Sequence, residues 1–480
     1  MILTEPLEFY ARQTPDKTAV IDSGGNQTAS YSELNDSTGK FAAYLADKGI
    51  TKGDRVIIIG DNSIEFIIAM YGCLKIGAVF IPLQSPKVAR LEYIKEDSQC
   101  KAVIKTEMVA EVIGGYSTLP KKHHASLSKE DISLIIYTSG TTNNPKGVVE
   151  PHSAVSFAVR SINKIIKNTS KDRILCGLPM SFDYGLYQIF LSFDTGATLV
   201  LAQSLQNVIA LPSLLAKCQI TGFPLLPSVA AAIIRSKLLE RTPLPHLRYI
   251  TSTGDTFHTN HIEKLMEVLP NVSIFPMYGL TECKRVSILS PSDYKGHEKS
   301  VGKPIPGTSA YVIDTNGNKL NENETGILVV SGPHVMSGYL NEDGKTSGRF
   351  FVDKKSGEKS LITNDYFRID GQGFLYYIGR DEAVIKSSGH RIGISEIESV
   401  IAQLSSVAEV CAVGVDDANK GQVVKLHIYS HNNDLTEEAV RAQFYAYFSE
   451  DVVMQKIIFH REALPKTANG KLDRIALRAF

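Results

Sequence analysis

The chain has 480 residues, 43% hydrophobic and 21% charged, too long for one ordinary core, since single cores stop growing near roughly 250–300 residues. Lys plus Arg and Asp plus Glu each number 51, so nothing global draws it to nucleic acid or an anionic membrane. No segment has the length and apolarity of a membrane span.

The opening MILTEPLEFYARQTPDKTAV lacks a basic region followed by an apolar stretch, so no signal peptide is expected and the cytoplasm is the expected location. Residues 30–82 alternate helix and strand. Ser32 is placed to cap a helix that carries Leu34, Phe41 and Leu45 on one side and ends at Gly49. RVIIIG then reads as a buried strand, SIEFIIAMYGCLKIG as a helix and VFIPL as a second strand, a βαβ unit that implies a parallel sheet.

The alternation recurs over residues 132–276, where SLIIYT, RILCGLP, ATLVLA, LRYITST and VSIFPMY are strand-like and SLLAKCQI and SVAAAIIRSKLLE helical. After residue 300, AYVID, GILVVSG and GFLYYIG, broken by NGN, ENETG and DGQG, read as short strands and tight turns. From about residue 380 the chain restarts with strand AVIK, helix SEIESVIAQLSS, strands EVCAVGV and VVKLHIY and helix TEEAVRAQFYAYF. The expected fold class is α/β. A large N-terminal domain of stacked α/β sheets plus a small β-barrel-like unit would occupy residues 1–379, and a small α+β lid-like domain residues 380–480.

Cys73, Cys100, Cys176, Cys218, Cys283 and Cys411 lie far apart, with no CxxC and no paired His spacing. Neither a metal knuckle nor a disulfide framework is expected, and they read as reduced, mostly buried thiols. Cys283, beside Glu282, has no nearby His to form a thiolate, which argues against a nucleophile.

The segment YTSGTTNNPKGV, residues 137–148, follows the strand SLII directly. Thr138, Ser139, Thr141 and Thr142 supply hydroxyls, Gly140 and Gly147 open backbone N–H groups, and Lys146 a cation, a set that can wrap a polyphosphate. A surface turn rich in Thr and Asn is the competing reading, and Lys after Pro in a glycine loop at a strand end weighs against it. A Walker A loop is excluded: in the nearest match, GYLNEDGKT at 338–346, five residues separate the glycines and no apolar strand leads in.

YTSGTTNNPKGV resembles the signature of the adenylate-forming superfamily, which includes acyl-CoA synthetases, peptide-synthetase adenylation domains and luciferases. Asn143 stands where that family usually has Gly, a mild departure because Asn tolerates left-handed backbone. MYGLTE, SVGKPIPG, GILVVSGPHVMSGYL, TNDYFRID, GRDEAVIKSSGHRIGISEIE and LPKTANGKLDR resemble the family's further motifs in order, so the resemblance spans nearly the whole chain.

The resemblance implies an enzyme that activates a carboxylic acid with ATP as an acyl-adenylate, releases pyrophosphate and hands the acyl group to a thiol. ATP and Mg²⁺ are the implied cofactors, with the loop from Thr138 to Lys146 steering pyrophosphate and Glu282 offering a hard oxygen to the metal. Tyr278 and Gly279 would border adenine, Thr281 would donate to the α-phosphate, and Thr253, Gly254 and Asp255 would line the adenine site. Asp365, assisted by Arg380, would accept both ribose hydroxyls. Read alone, Asp365 is a solvated turn residue, and Asn364 replaces a family glycine. Lys471 would contact the substrate carboxylate and the α-phosphate, offsetting repulsion between two anions. In the family the C-terminal domain rotates between half-reactions; Gly389 matches the loop bordering the pantetheine tunnel, and Glu382 falls where a hinge Asp is usual.

LPMSFDYGLYQIF holds Phe182 and Asp183, which resemble the FD motif whose Asp binds an amino acid's α-ammonium. Met277 would border the same pocket. An amino acid is therefore expected, with a fatty or aryl acid, activated by an acyl-CoA synthetase, as the alternative. No carrier segment follows Phe480, so the expected acceptor is a separate carrier protein for an amino acid, or CoA otherwise. A non-catalytic protein on this fold would be expected to lose Lys471, Glu282 or Asp365, and all three are present. Nothing specifies luciferin chemistry.

Overall fold

The computed structural model describes residues 1–24, 27–84, 88–116, 126–138, 145–342, 348–352, 357–380, 384–387, 390–417, 421–430, 434–448, 452–465 and 472–478. The chain forms two compact units, Met1–Ser309 with Val330–Leu361, and Ala310–Val329 with Ile362–Phe480. The boundary expected between residues 379 and 380 falls inside the second unit. The expected small β unit is divided between the two, because strands Thr325–Ser331 and Lys359–Ile369 run unbroken through the changeover.

In the first unit the βαβ element forms as its apolar pattern requires. Strands Arg55–Ile59 and Val79–Leu83 pair in parallel, from Arg55↔Val79 to Ile59↔Leu83. Between them runs helix Ile64–Ile76, in which every residue but Glu65 is buried, as expected of a helix apolar on all faces. The Ser63 hydroxyl starts it by accepting the Phe66 N–H at 3.1 Å, and Gly77 ends it in left-handed backbone at φ 75°. The preceding helix, Tyr31–Asp47, is capped by Ser30 rather than Ser32. Ser30 has extended backbone and a reciprocal partner three residues on, since its Oγ accepts the Glu33 N–H while its own N–H donates to Glu33 Oε2 at 2.8 Å.

Two sheets flank these helices. One runs in the order Ala102–Lys105, Arg55–Ile59, Val79–Leu83, Ile132–Thr138, Lys146–Pro151, parallel except for its last pair. The expected phosphate loop therefore joins two antiparallel strands, the second of which the sequence reading missed. The other sheet has a parallel centre, Ser273–Tyr278, Tyr249–Ser252, Gly222–Leu225, Arg173–Cys176, Thr198–Leu201, Thr18–Asp22, with short antiparallel strands at both edges. Phe41, Phe66, Tyr71 and Phe193 from the helices share one core with Val56, Phe80 and Leu134 of the first sheet and Leu199 and Phe275 of the second, the stacked α/β arrangement expected.

The second unit contains the pairing of Asp365–Ile369 with Leu375–Arg380 and a long hairpin, Val407–Asp417 with Gly421–Ser430, extended in parallel by Met454–His460. Helices Ile394–Ile401 and Glu437–Tyr445 cover this sheet through Ile397, Ile401 and Phe444. None of the six cysteines forms a disulfide, and all but Cys100 are buried. Among the described residues no helix is long and apolar enough to cross a membrane.

One core contact predicts acid sensitivity. His152 is 1% exposed, and its Nδ1 accepts the Leu3 N–H at 3.2 Å, which requires a neutral ring. Burial lowers its pKa from 6.5 to about 4. Between pH 6.5 and 4 the unfolded chain takes up a proton that the folded ring refuses, so this contribution to stability is present above pH 6.5 and is lost as pH falls through that window. Denaturation midpoints measured from pH 7 to pH 4 should fall more steeply for the wild type than for His152→Gln; parallel profiles would contradict this.

Candidate active site

The site in the first unit is organised by the turn after strand Ser273–Tyr278. The Cys283 N–H donates to Leu280 O at 3.0 Å and the Val286 N–H to Tyr278 O at 2.9 Å, so the chain doubles back on itself. Only glycine fits at 279, where a Cβ would lie 1.9 Å from the Lys284 carbonyl oxygen. Lys284 adopts left-handed backbone at φ 57° and turns its ammonium inward to an ion pair with Glu150 and a 2.7 Å hydrogen bond to His334 O. Burial pushes the Lys284 ammonium well below its ordinary range. Glu150 lies on strand Lys146–Pro151, so this contact ties the turn to the hairpin bearing the expected phosphate loop.

A second tie runs through Tyr339. Its hydroxyl donates to Glu282 Oε1 at 2.7 Å, and its ring lies 5.1 Å from the ammonium of Lys146, which also pairs with Glu342 at 2.6 Å. Lys146 and Glu282, expected to serve the phosphates and the metal, thus stand at two ends of one tyrosine. Thr138 closes the hairpin, its Oγ1 3.5 Å from Lys146 O; Ser139, Gly140, Thr141 and Thr142 lie outside the described residues. No group of three or more His, Cys, Asp or Glu side chains able to hold a metal occurs among the described residues. Glu282 would give Mg²⁺ a single carboxylate oxygen, leaving phosphate and water oxygens to complete the shell. That donor set suits an ion that keeps several waters and binds through one or two carboxylates.

Beside this turn lies a recess lined by Asp183, Tyr184, Tyr187, Met277 and Arg285 among others, with about 20 Å³ of free space, room for a water or two unless the walls move. Asp183 opens helix Asp183–Thr195, its Oδ1 accepting the Tyr184 N–H at 2.7 Å. Burial holds its carboxyl above the ordinary carboxylate range, against the opposing pull of Arg285 and the adjacent Thr281. Arg285, which the sequence reading missed, is 7% exposed. One of its terminal nitrogens donates to Thr253 Oγ1 at 2.6 Å, and its guanidinium carbon lies 5.3 Å from the Tyr184 ring centre.

Thr253, expected beside adenine, therefore also anchors Arg285. Gly254 takes φ 91°, and Asp255, exposed, accepts the Thr256 N–H at 2.8 Å. Tyr278 is buried at the strand end, and Phe182 is 39% exposed at the mouth of the helix.

In the second unit Asp365 lies within a strand and is 5% exposed, not the solvated turn residue it resembles in isolation. It faces Arg380 across the ladder, 3.4 Å away. Its N–H donates to Thr363 Oγ1, which in turn donates to Leu328 O at 2.9 Å. Glu382, Gly389 and Lys471 lie outside the described residues.

The chain is similar to known proteins over most of its length. The family model for AMP-binding enzymes matches residues 7–340, and that for the AMP-binding enzyme C-terminal domain matches residues 396–471. The chain is 29% identical to bacitracin synthase 2 of Bacillus licheniformis over 490 residues, covering 99% of this chain but only 18% of that protein. The o-succinylbenzoate CoA synthetase MenE of Bacillus subtilis, solved with its acyl-adenylate intermediate, is 25% identical with a TM-score of 0.84, covering 98% of this chain and 97% of that one. VinN, solved with L-aspartate, is 30% identical with a TM-score of 0.70, covering 79% of this chain and 98% of that one.

Proposed function

The chain belongs to the AMP-binding enzyme family, within the adenylate-forming superfamily, and from that premise we propose that it activates an amino acid as its acyl-adenylate and loads it onto a carrier-protein thiol. In the first step a carboxylate oxygen attacks the α-phosphorus of ATP, the bond to the bridging oxygen breaks and pyrophosphate leaves. In the second a thiolate attacks the acyl carbon and AMP departs.

Glu282 and Thr281 are the catalytic candidates of the first unit, with Lys146 and the loop before it directing pyrophosphate. Mg²⁺ at Glu282 would neutralise charge on the departing pyrophosphate. Tyr278, Gly279, Thr253, Gly254 and Asp255 would bound adenine, and Asp365 with Arg380 would take the ribose. Lys471 would bridge the two reacting anions, carried by a lid of residues 380–480 hinged near Glu382, with Gly389 beside the incoming thiol.

The observation that carries the amino-acid reading is Asp183, at the wall of a recess beside Thr281, where burial raises its carboxyl and an added positive charge would favour its ionised form. An α-ammonium would supply that charge. The 30% identity to VinN, a protein solved with an amino acid, supports the same reading. The similarity to MenE supports a CoA-dependent ligase of an unsubstituted acid as the second reading.

ATP–pyrophosphate exchange across amino, fatty and aryl acids separates the two readings. Exchange with an amino acid should fall about 100-fold in Asp183→Ala, the scale of leaving a buried ammonium without its partner. Exchange confined to unsubstituted acids, unaffected by Asp183→Ala, would contradict the amino-acid reading.

A further inference from the structure

Arg285 is a buried charge with no anion hydrogen-bonded to it. It is 7% exposed, and a buried cation is costly unless paired. Its contacts with Thr253 and the Tyr184 ring fix the plane of the guanidinium, but neither contributes a negative charge, and Nε has no hydrogen-bond partner. Tyr187 lines the same recess, and its hydroxyl is also buried without a partner. Interiors leave few such groups, so two unmet donors in one recess call for an acceptor.

Asp183 does not fill that need. It and Arg285 feel each other's charge with no hydrogen bond joining them, so the recess offers a negative point and a positive point separately. An ammonium meets the first. A planar, doubly accepting anion meets the second, because a guanidinium fork and a phenol hydroxyl donate to carboxylate oxygens without rearrangement. Little space stands open in the recess, so its walls must part to admit the anion, and the shortest side chain that carries one asks the least of them.

We infer that the acid activated here is an amino acid with a second carboxylate on a short side chain, held by Arg285 and Tyr187 while Asp183 holds the ammonium. This rests on the amino-acid reading above and adds the residues that select among amino acids. If Arg285 served only to neutralise Asp183, the preferred acid would be neutral or lack the amine.

The test is ATP–pyrophosphate exchange by the full chain with L-aspartate, L-glutamate, L-asparagine, L-glutamine, L-alanine, L-leucine and succinate. Aspartate or glutamate should exceed its own amide in kcat/KM by about 100-fold, the discrimination expected when a substitute leaves a buried charge unpaired. Arg285→Gln should erase that preference and Tyr187→Phe lower it by about 10-fold, with circular dichroism and melting midpoints reporting whether each variant folds. The comparison of acid with amide in the wild type stands even if Arg285→Gln fails to fold. A wild type that prefers a neutral amino acid would overturn the role of Arg285 and leave the amino-acid reading standing. Exchange with succinate and with no amino acid would overturn the amino-acid reading itself and the proposed substrate with it.

Discussion

Lys471→Ala should lower ATP–pyrophosphate exchange roughly 100- to 1,000-fold, the range measured when one preorganised donor to developing charge is removed, while synthetic acyl-adenylate is still consumed by a thiol. The two anions that must meet, a carboxylate and the α-phosphate, repel each other, and the motif TANGKLDR supplies an ammonium to offset that repulsion. Thiol attack brings no second anion to the α-phosphate, so it does not need the same cation. Equal loss in both half-reactions would remove Lys471 from the role assigned to it. Loss of neither would place the adenylation cation elsewhere.

Lys284→Met should destabilise the first unit by roughly 3–5 kcal/mol, the cost of leaving one member of a buried pair without its partner. Glu150 is 1% and Lys284 5% exposed, so neither can turn to water when the other is removed. Replacing both, as Lys284→Met with Glu150→Leu, should recover much of the loss, because apolar residues of similar size leave no charge stranded. Urea midpoints of the two variants measure this directly, and a single variant as stable as the wild type would contradict it. Function should follow stability here. The same turn carries Thr281, Glu282 and Arg285, and its course is set by Gly279 against Lys284 O and by Lys284 against Glu150.

Local pattern revealed what local physics decides. Helix Ile64–Ile76 and its flanking parallel strands follow from continuous apolar runs closed by Ser63 and Gly77. Where two serines compete to cap one helix, periodicity does not choose; Ser30 prevails because Glu33 answers it. Strand Lys146–Pro151 was hidden because its residues read first as the end of a glycine loop, and only pairing with Ile132–Thr138 makes it a strand. Asp365 resembled a turn residue for the same reason: only pairing with Leu375–Arg380 makes its segment part of a sheet.

The candidate site divides likewise. Glu282, Asp183 and Lys146 stood out because motifs carry them. Arg285, Tyr339 and the Lys284–Glu150 pair did not, since each acquires meaning from a partner distant in the sequence. The one available signal for Arg285 was a pair of basic residues, Lys284 and Arg285, set directly after TEC in a segment otherwise bound for the interior.

The central claim is that the acid's own oxygen becomes bonded to the α-phosphorus. Its most direct test uses the acid that gives the strongest exchange, labelled with ¹⁸O in the reacting carboxylate, together with ATP, Mg²⁺ and a phosphopantetheine thiol, with mass spectrometry of the nucleotide product. An acyl-adenylate pathway predicts AMP carrying a single ¹⁸O and pyrophosphate carrying none. Label appearing in phosphate, with ADP as the product, would contradict the account.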